Sequence, residues 1–148
     1  MLTKAITYVN FNDEKKTKNF YFHLSSIEIA RMNSMYDGGL EGHIKKIVES
    51  NDNREIFKLF EDIVLASYGE KSADGDEFLK SDTIRQRFQC HPAYDILMTE
   101  IISGGAKAMS DFINAVIPKS VSEKMEGLDL RKEANKTIGF DVVPETEG

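Results

Sequence analysis

Cys90 and His91 stand side by side, a thiol next to an imidazole, the two groups that a cysteine nucleophile and its base would supply. Neighbouring residues seldom face each other productively, so nucleophilic catalysis asks for a base brought in from elsewhere in the fold. His23 and His43 are far away in the chain, and no CxxC, HxxxH or HExxH spacing pairs ligands for a metal. A structural or solvent-exposed reading of Cys90 and His91 therefore outweighs a small cysteine-dependent or metal enzyme. Asp74-Gly75-Asp76 has the look of a calcium-loop fragment. A calcium loop places its ligands at alternating positions before the glycine and ends on a bidentate Glu, and that continuation is missing. A solvated turn is the expectation here.

Other chemistries fail on context. Gly38-Gly39 and Gly104-Gly105 lack the flanking residues of phosphate-binding loops, and there is no GxSxG elbow. Lys15-Lys16-Thr17-Lys18 is a basic cluster, read as the solvated tip of a hairpin. The helix from Ser81 to Gln89, a break at Pro92 and a following helix imitate a helix-turn-helix. Arg85 and Arg87 are its only basic residues, and the second helix carries Asp95 and Glu100, so it reads poorly as a DNA reader. A net charge of -6 over 148 residues also speaks against non-specific nucleic-acid binding. No cofactor is called for.

The elements that would position these residues read clearly. Thr3 to Phe11 alternates, with Ala5, Val9 and Phe11 on one face and Ile6 and Tyr8 on the other. A polar connector, Asn12 to Asn19, leads to the aromatic run Phe20-Tyr21-Phe22-His23-Leu24. Together they predict an N-terminal β-hairpin. A lone hairpin is marginal in water, so it should pack on helices or pair with another chain. Ser25 and Glu28 are spaced as a capping box, opening a helix that would turn Ile27, Ala30 and Met35 inward and stop at Asp37-Gly38-Gly39. A second helix carries Leu40, Ile44, Ile47 and Val48. The third has a full apolar stripe: Ile56, Leu59, Phe60, Ile63 and Val64. Ser67 to Phe78 is a polar, glycine-punctuated connector between helical halves. Ser81 caps a helix with Ile84 and Phe88 inward. Pro92 starts another, with Tyr94, Leu97, Met98, Ile101 and Ile102, interrupted at Gly104-Gly105. A last stripe runs Met109, Phe112, Ile113, Val116 and Ile117, to Pro118.

The expected fold is thus α+β, mainly α: a β-hairpin followed by about five to six short helices. One globular domain over residues 1–118 and a weakly patterned, flexible tail over 119–148 are expected. Hydrophobic content of 41% suits a packed core. No run approaches the ~20 apolar residues of a membrane span. Met1-Leu2-Thr3-Lys4 lacks a signal peptide's apolar region, and a lone cysteine fits a reducing compartment, so the cytoplasm is the expected location. Tyr8, Phe11, Phe20, Tyr21 and Phe22 carry more apolar surface than one sheet face of a small domain should bury. A second aromatic face would serve self-association or a partner.

Four stretches carry a family resemblance. They are Phe20-Tyr21-Phe22-His23-Leu24-Ser25; Gly38-Gly39-Leu40-Glu41-Gly42-His43-Ile44; Phe60 through Tyr68-Gly69-Glu70-Lys71-Ser72 to Phe78 and Ser81; and Phe112-Ile113-Asn114-Ala115-Val116-Ile117-Pro118. Over Thr3 to Pro118 the chain resembles the tail assembly chaperones of long-tailed bacteriophages and prophages of Gram-positive hosts. The resemblance implies a non-enzymatic protein that binds the tape measure protein before the tail tube polymerises, with the tail tube protein a second expected partner. It implies action in the host cytoplasm and absence from the finished virion. It also implies a second, frameshifted form with a C-terminal extension. Partner contact is expected at Tyr8, Phe11, Phe20, Phe22, Tyr68 and Phe78, and self-association through the hairpin is a further expectation. The competing reading is a small tail or head–tail connector protein retained in the particle, its hairpin paired edge to edge between subunits.

Overall fold

Alternation decides the first strand. In the computed structural model, which describes residues 1–118, β1 spans Leu2–Val9 with Ile6 and Tyr8 buried and Thr3, Ala5, Thr7 and Val9 exposed. β2 spans Lys15–Phe22 and pairs antiparallel with β1 from Leu2↔Phe22 to Val9↔Lys15. The connector is therefore shorter than the sequence implied. Lys15 to Asn19 belongs to the strand, and the basic cluster lies along it. Asn10 makes the short turn: its Oδ1 accepts the N–H groups of Asn12 and Glu14, both at 2.9 Å. Asp13 takes the left-handed conformation at φ 62, which short polar side chains tolerate. Every residue from Lys15 to Asn19 is exposed, so their pattern carries no burial signal.

Capping sets the helix starts. Ser25 and Glu28 form the expected capping box of α1, Ser26–Met35. Its inward face differs from the expectation: Ile29 is buried, whereas Ile27 and Met35 are 63% and 70% exposed. α2, Gly39–Ser50, buries Leu40, Ile44 and Val48. Asn33 of α1 accepts the Leu40 N–H at 2.7 Å, and Tyr36 stacks on His43 at 3.8 Å, which docks α1 on α2. α3, Asn53–Ser67, is capped by Asp52 and buries the predicted stripe.

The stretch after α3 corrects the reading of a plain connector. Tyr68–Lys71 forms β3 and Phe78–Leu79 forms β4. β3 pairs with the end of β2, Tyr21↔Gly69 and Phe22↔Tyr68, and β4 pairs with β3. Among the described residues the result is a four-stranded sheet in the order β1-β2-β3-β4. The acidic residues between them build the turn. Asp74 accepts the Ser72 hydroxyl at 2.7 Å and the Asp76 N–H at 3.0 Å, and the Ser72 N–H donates to the Glu77 carbonyl at 2.8 Å. α4, Asp82–Gln89, is capped by Ser81, and α5, Pro92–Val116, by His91. Gly105, at φ 71 and ψ -155, breaks α5 into two rods as its glycine pair suggested. The fold is α+β and mainly α, with five helices among the described residues. Residues 119–148, expected as a flexible tail, lie outside the described part.

Candidate binding surface

The hairpin aromatics point one way. Tyr8, Phe20 and Phe22 all lie on the sheet face that meets the helices, and all are buried. Tyr8 and Phe20 meet edge-on at 6.3 Å, and Phe22 meets Phe112 of α5 at 5.5 Å. Tyr68 is buried too, stacked on Phe88 at 4.0 Å. Its hydroxyl is pushed above its ordinary value, first by burial and then by the Glu70 charge. Phe78 is half-buried beside His23 at 6.1 Å, packed over Gly69, where a Cβ would come within 2.6 Å of its ring. Phe11 alone of the six candidates is open to solvent, 85% exposed past the end of β1. The opposite sheet face is largely polar: Thr7 and Thr17 hydroxyls meet at 2.8 Å, and the Lys71 ammonium lies 4.5 Å over the Tyr21 ring. One face of the sheet thus buries three of the five hairpin aromatics, while Tyr21 lies on the other face and Phe11 in solvent.

His91 and Cys90 part company. The His91 Nδ1 accepts the Ala93 N–H at 3.0 Å, and its ring meets Tyr8 at 4.6 Å and Phe20 at 5.2 Å. Cys90 faces solvent. The imidazole thus caps a helix against an aromatic wall. Among the described residues, no group of three or more His, Cys, Asp and Glu side chains is placed to hold a metal ion. No helix there is long and apolar enough to cross a membrane.

One polar cluster escaped the sequence reading. Lys80, between β4 and α4, reaches the Glu28 carboxylate at 2.8 Å, the His23 carbonyl at 2.7 Å and the Ala66 carbonyl at 2.8 Å. It ties the end of β2, the first turn of α1 and the end of α3. Burial lowers the affinity of Lys80 for its proton, offset in part by Glu28. Burial raises Glu28, but the hydrogen bonds from Lys80 and Ser25 outweigh it and hold the carboxyl below its usual range. Partners 52 residues apart leave no local spacing to read.

Among the described residues, β1 is an outer strand of the sheet. Asn10 continues its ladder by donating to the Glu14 carbonyl at 2.9 Å. Antiparallel alternation then puts Leu2, Lys4, Ile6 and Tyr8 in the bonded positions, and turns the backbone groups of Thr3, Ala5, Thr7 and Val9 away from β2. Beside this edge runs a groove of about 360 Å³ between β1 and the kinked α5. Leu2, Leu97, Ile101 and Phe112 line it, with Lys4 and Glu100 paired at 3.4 Å on its rim. A sheet edge next to an apolar groove is a surface for binding an extended chain. A sequence-family model described as phage tail assembly chaperone matches residues 1–142. The chain belongs to the phage tail assembly chaperone family. No curated protein and no solved structure matches it. Of the six residues expected at a partner contact, Phe11 alone is solvent-exposed; Tyr8, Phe20, Phe22 and Tyr68 are buried, and Phe78 is half-buried.

Proposed function

We propose that this chain is a non-catalytic chaperone that binds the tape measure protein of a long-tailed phage or prophage of a Gram-positive host. Family membership over residues 1–142 carries the reading. It acts in the host cytoplasm and leaves before the virion is complete, with the tail tube protein a second partner met during assembly. A long helical partner with apolar faces aggregates when those faces are bare. Reversible cover by a small acidic protein prevents that, and several copies along one partner add avidity. Solvent-facing apolar residues support such contact: Phe11 at the hairpin tip, Ile27 and Met35 on α1, and Phe57 on α3. Tyr8, Phe20, Phe22, Tyr68 and Phe78 contribute by holding the sheet in place. Co-expression with the tape measure protein of the same genome tests the idea. A soluble complex is expected; a partner equally soluble alone, with no co-purification, sinks it.

The unpaired β1 edge favours a second reading, a small structural protein kept in the particle by edge-to-edge pairing. Mass spectrometry of purified virions separates the two. Many copies per particle favour the structural role, and absence favours the chaperone.

A further inference from the structure

We propose that the second edge of β2, at Lys15, Thr17 and Asn19, takes up an extended acidic segment of a partner protein as an added strand. In the β1–β2 ladder every second pair from Leu2↔Phe22 to Tyr8↔Lys16 exchanges the hydrogen bonds, so Lys15, Thr17, Asn19 and Tyr21 turn their backbone N–H and C=O groups away from β1. β3 meets that edge only at Tyr21↔Gly69 and Phe22↔Tyr68, then leaves it to pair with β4 at Glu70↔Leu79 and Lys71↔Phe78. Among the described residues, the backbone groups of Lys15, Thr17 and Asn19 therefore have no strand beside them. Where the two strands part, a cleft of about 400 Å³ opens, lined by Asn19, Phe20 and Tyr21 on one side and by Tyr68, Gly69 and Lys71 on the other. An extended chain entering there continues the track that β3 leaves and bonds to β2 through its main chain.

Charge selects the occupant. Lys18 lies on the helix side of β2, two residues before buried Phe20, and its charge acts on His91. Arg87 of α4, next to the Phe88 that stacks on Tyr68, stands on the same side. Lys15 alternates to the open face, where the Lys71 ammonium lies over the Tyr21 ring. Acidic side chains on either face of an incoming strand thus meet a cation. Among the described residues, Lys15, Lys18, Lys71 and Arg87 form no ion pair, and Lys16 reaches only Glu14, at 3.9 Å. Glu70 is the one carboxylate lining the cleft. The chain as a whole carries a charge of -6, so this positive strip is local. A nucleic acid fits it less well. It offers β2 no ladder of alternating donors and acceptors, and the acidic remainder of the chain repels its uniform charge. The inference goes beyond the chaperone role, because it holds whichever protein supplies the segment.

Residue-resolved amide exchange by NMR on the full chain tests this, with an eight-residue peptide of alternating Thr and Glu as the probe. Saturating peptide should slow exchange of the Lys15, Thr17 and Asn19 amides at least tenfold and leave those of Thr3, Ala5 and Thr7 as they were. A peptide of alternating Thr and Lys should do neither. Lys15→Glu with Lys18→Glu should weaken binding of the acidic peptide at least tenfold. Asn19→Pro removes an N–H that points away from β1, so it spares the β1–β2 ladder and the protected amides of α3 and α5. It should abolish the protection that the peptide confers on Thr17. Absence of that protection in the unaltered chain overturns the proposal, as does equal protection by the Lys peptide or protection of the β1 amides instead. Binding that survives Asn19→Pro undiminished shows charge attraction without strand addition and also overturns it. So does a single-stranded oligonucleotide that binds the unaltered chain more tightly than the acidic peptide. These readouts leave binding of the tape measure protein through Phe11 and α1 to its own co-expression test.

Discussion

Lys80 is held within 2.8 Å of each of three partners that belong to different elements, and its side chain is 14% exposed. Removing it strands the Glu28 carboxylate and two carbonyls, which costs more than the pair itself contributes. Lys80→Met should lower unfolding free energy by roughly 2–4 kcal/mol in urea titration, a figure reduced because Glu28 keeps some solvent. Glu28→Gln should cost less, since an amide still serves the capping box. The histidines set an acid limit. Burial lowers His91 below 6.5, helped by the Lys18 charge, and burial lowers His23, helped by the N-terminus and Lys80. Each is then neutral in the folded state and protonates more readily once unfolded. Their contribution is fully present above pH 6.5 and is lost as pH falls through the lowered folded values. Glu28, also lowered, adds a loss below pH 4.5, the ordinary value of a glutamate carboxyl. The urea midpoint should therefore fall from pH 7 toward pH 5 and fall further below. His91→Asn, a capping side chain that does not titrate, should flatten the upper part of that slope; an unchanged slope would count against the cap assignment. Sequence gave His91 and Cys90 one address, but only packing sent the imidazole to Tyr8 and the thiol to water.

Glycines control how the elements join. Gly105 sits at φ 71 and ψ -155, a region open essentially to glycine alone. Gly105→Ala should cost about 1–3 kcal/mol and straighten α5 away from β1. Gly69 is tight for a different reason: a Cβ there would lie 2.9 Å from the Leu79 carbonyl as well as against Phe78. Gly69→Ala should cost a similar amount, about 1–3 kcal/mol, by prying β4 from β3. Both effects are measurable as shifts in thermal midpoint with unchanged helix content. The kink was legible because paired glycines interrupt a periodic run. The β3–β4 strands were not. They are two to four residues long: β3 becomes a strand only by pairing with Tyr21 and Phe22, across three helices, and β4 only by pairing with β3. α1 misled for lack of periodicity: with only Ile29 fully buried, its sequence does not declare an inner face.

At the scale of the molecule, family membership and surface chemistry meet at the exposed apolar residues. Ile27→Asp with Met35→Asp lies on the solvent side of α1, so stability should change by no more than about 0.5 kcal/mol per site. If the proposed function holds through that surface, recovery of soluble tape measure protein on co-expression should drop at least severalfold. Recovery equal to that of the unaltered chain would move the contact elsewhere, to Phe11 or the β1 edge.

The sequence by itself determined the helix starts at Ser25, Ser81 and Pro92, the buried stripe of α3, the break in α5, the hairpin and the family. Caps, periodicity and glycine breaks act within a turn or two of chain, so they can be read locally. Tertiary structure decided the rest. It put three aromatics of the hairpin on one face, enlarged the hairpin to four strands, joined Lys80 to Glu28, and left β1 as an edge beside a groove. Each of these depends on which distant surfaces meet, and that is settled by burial and hydrogen-bond pairing across the whole chain.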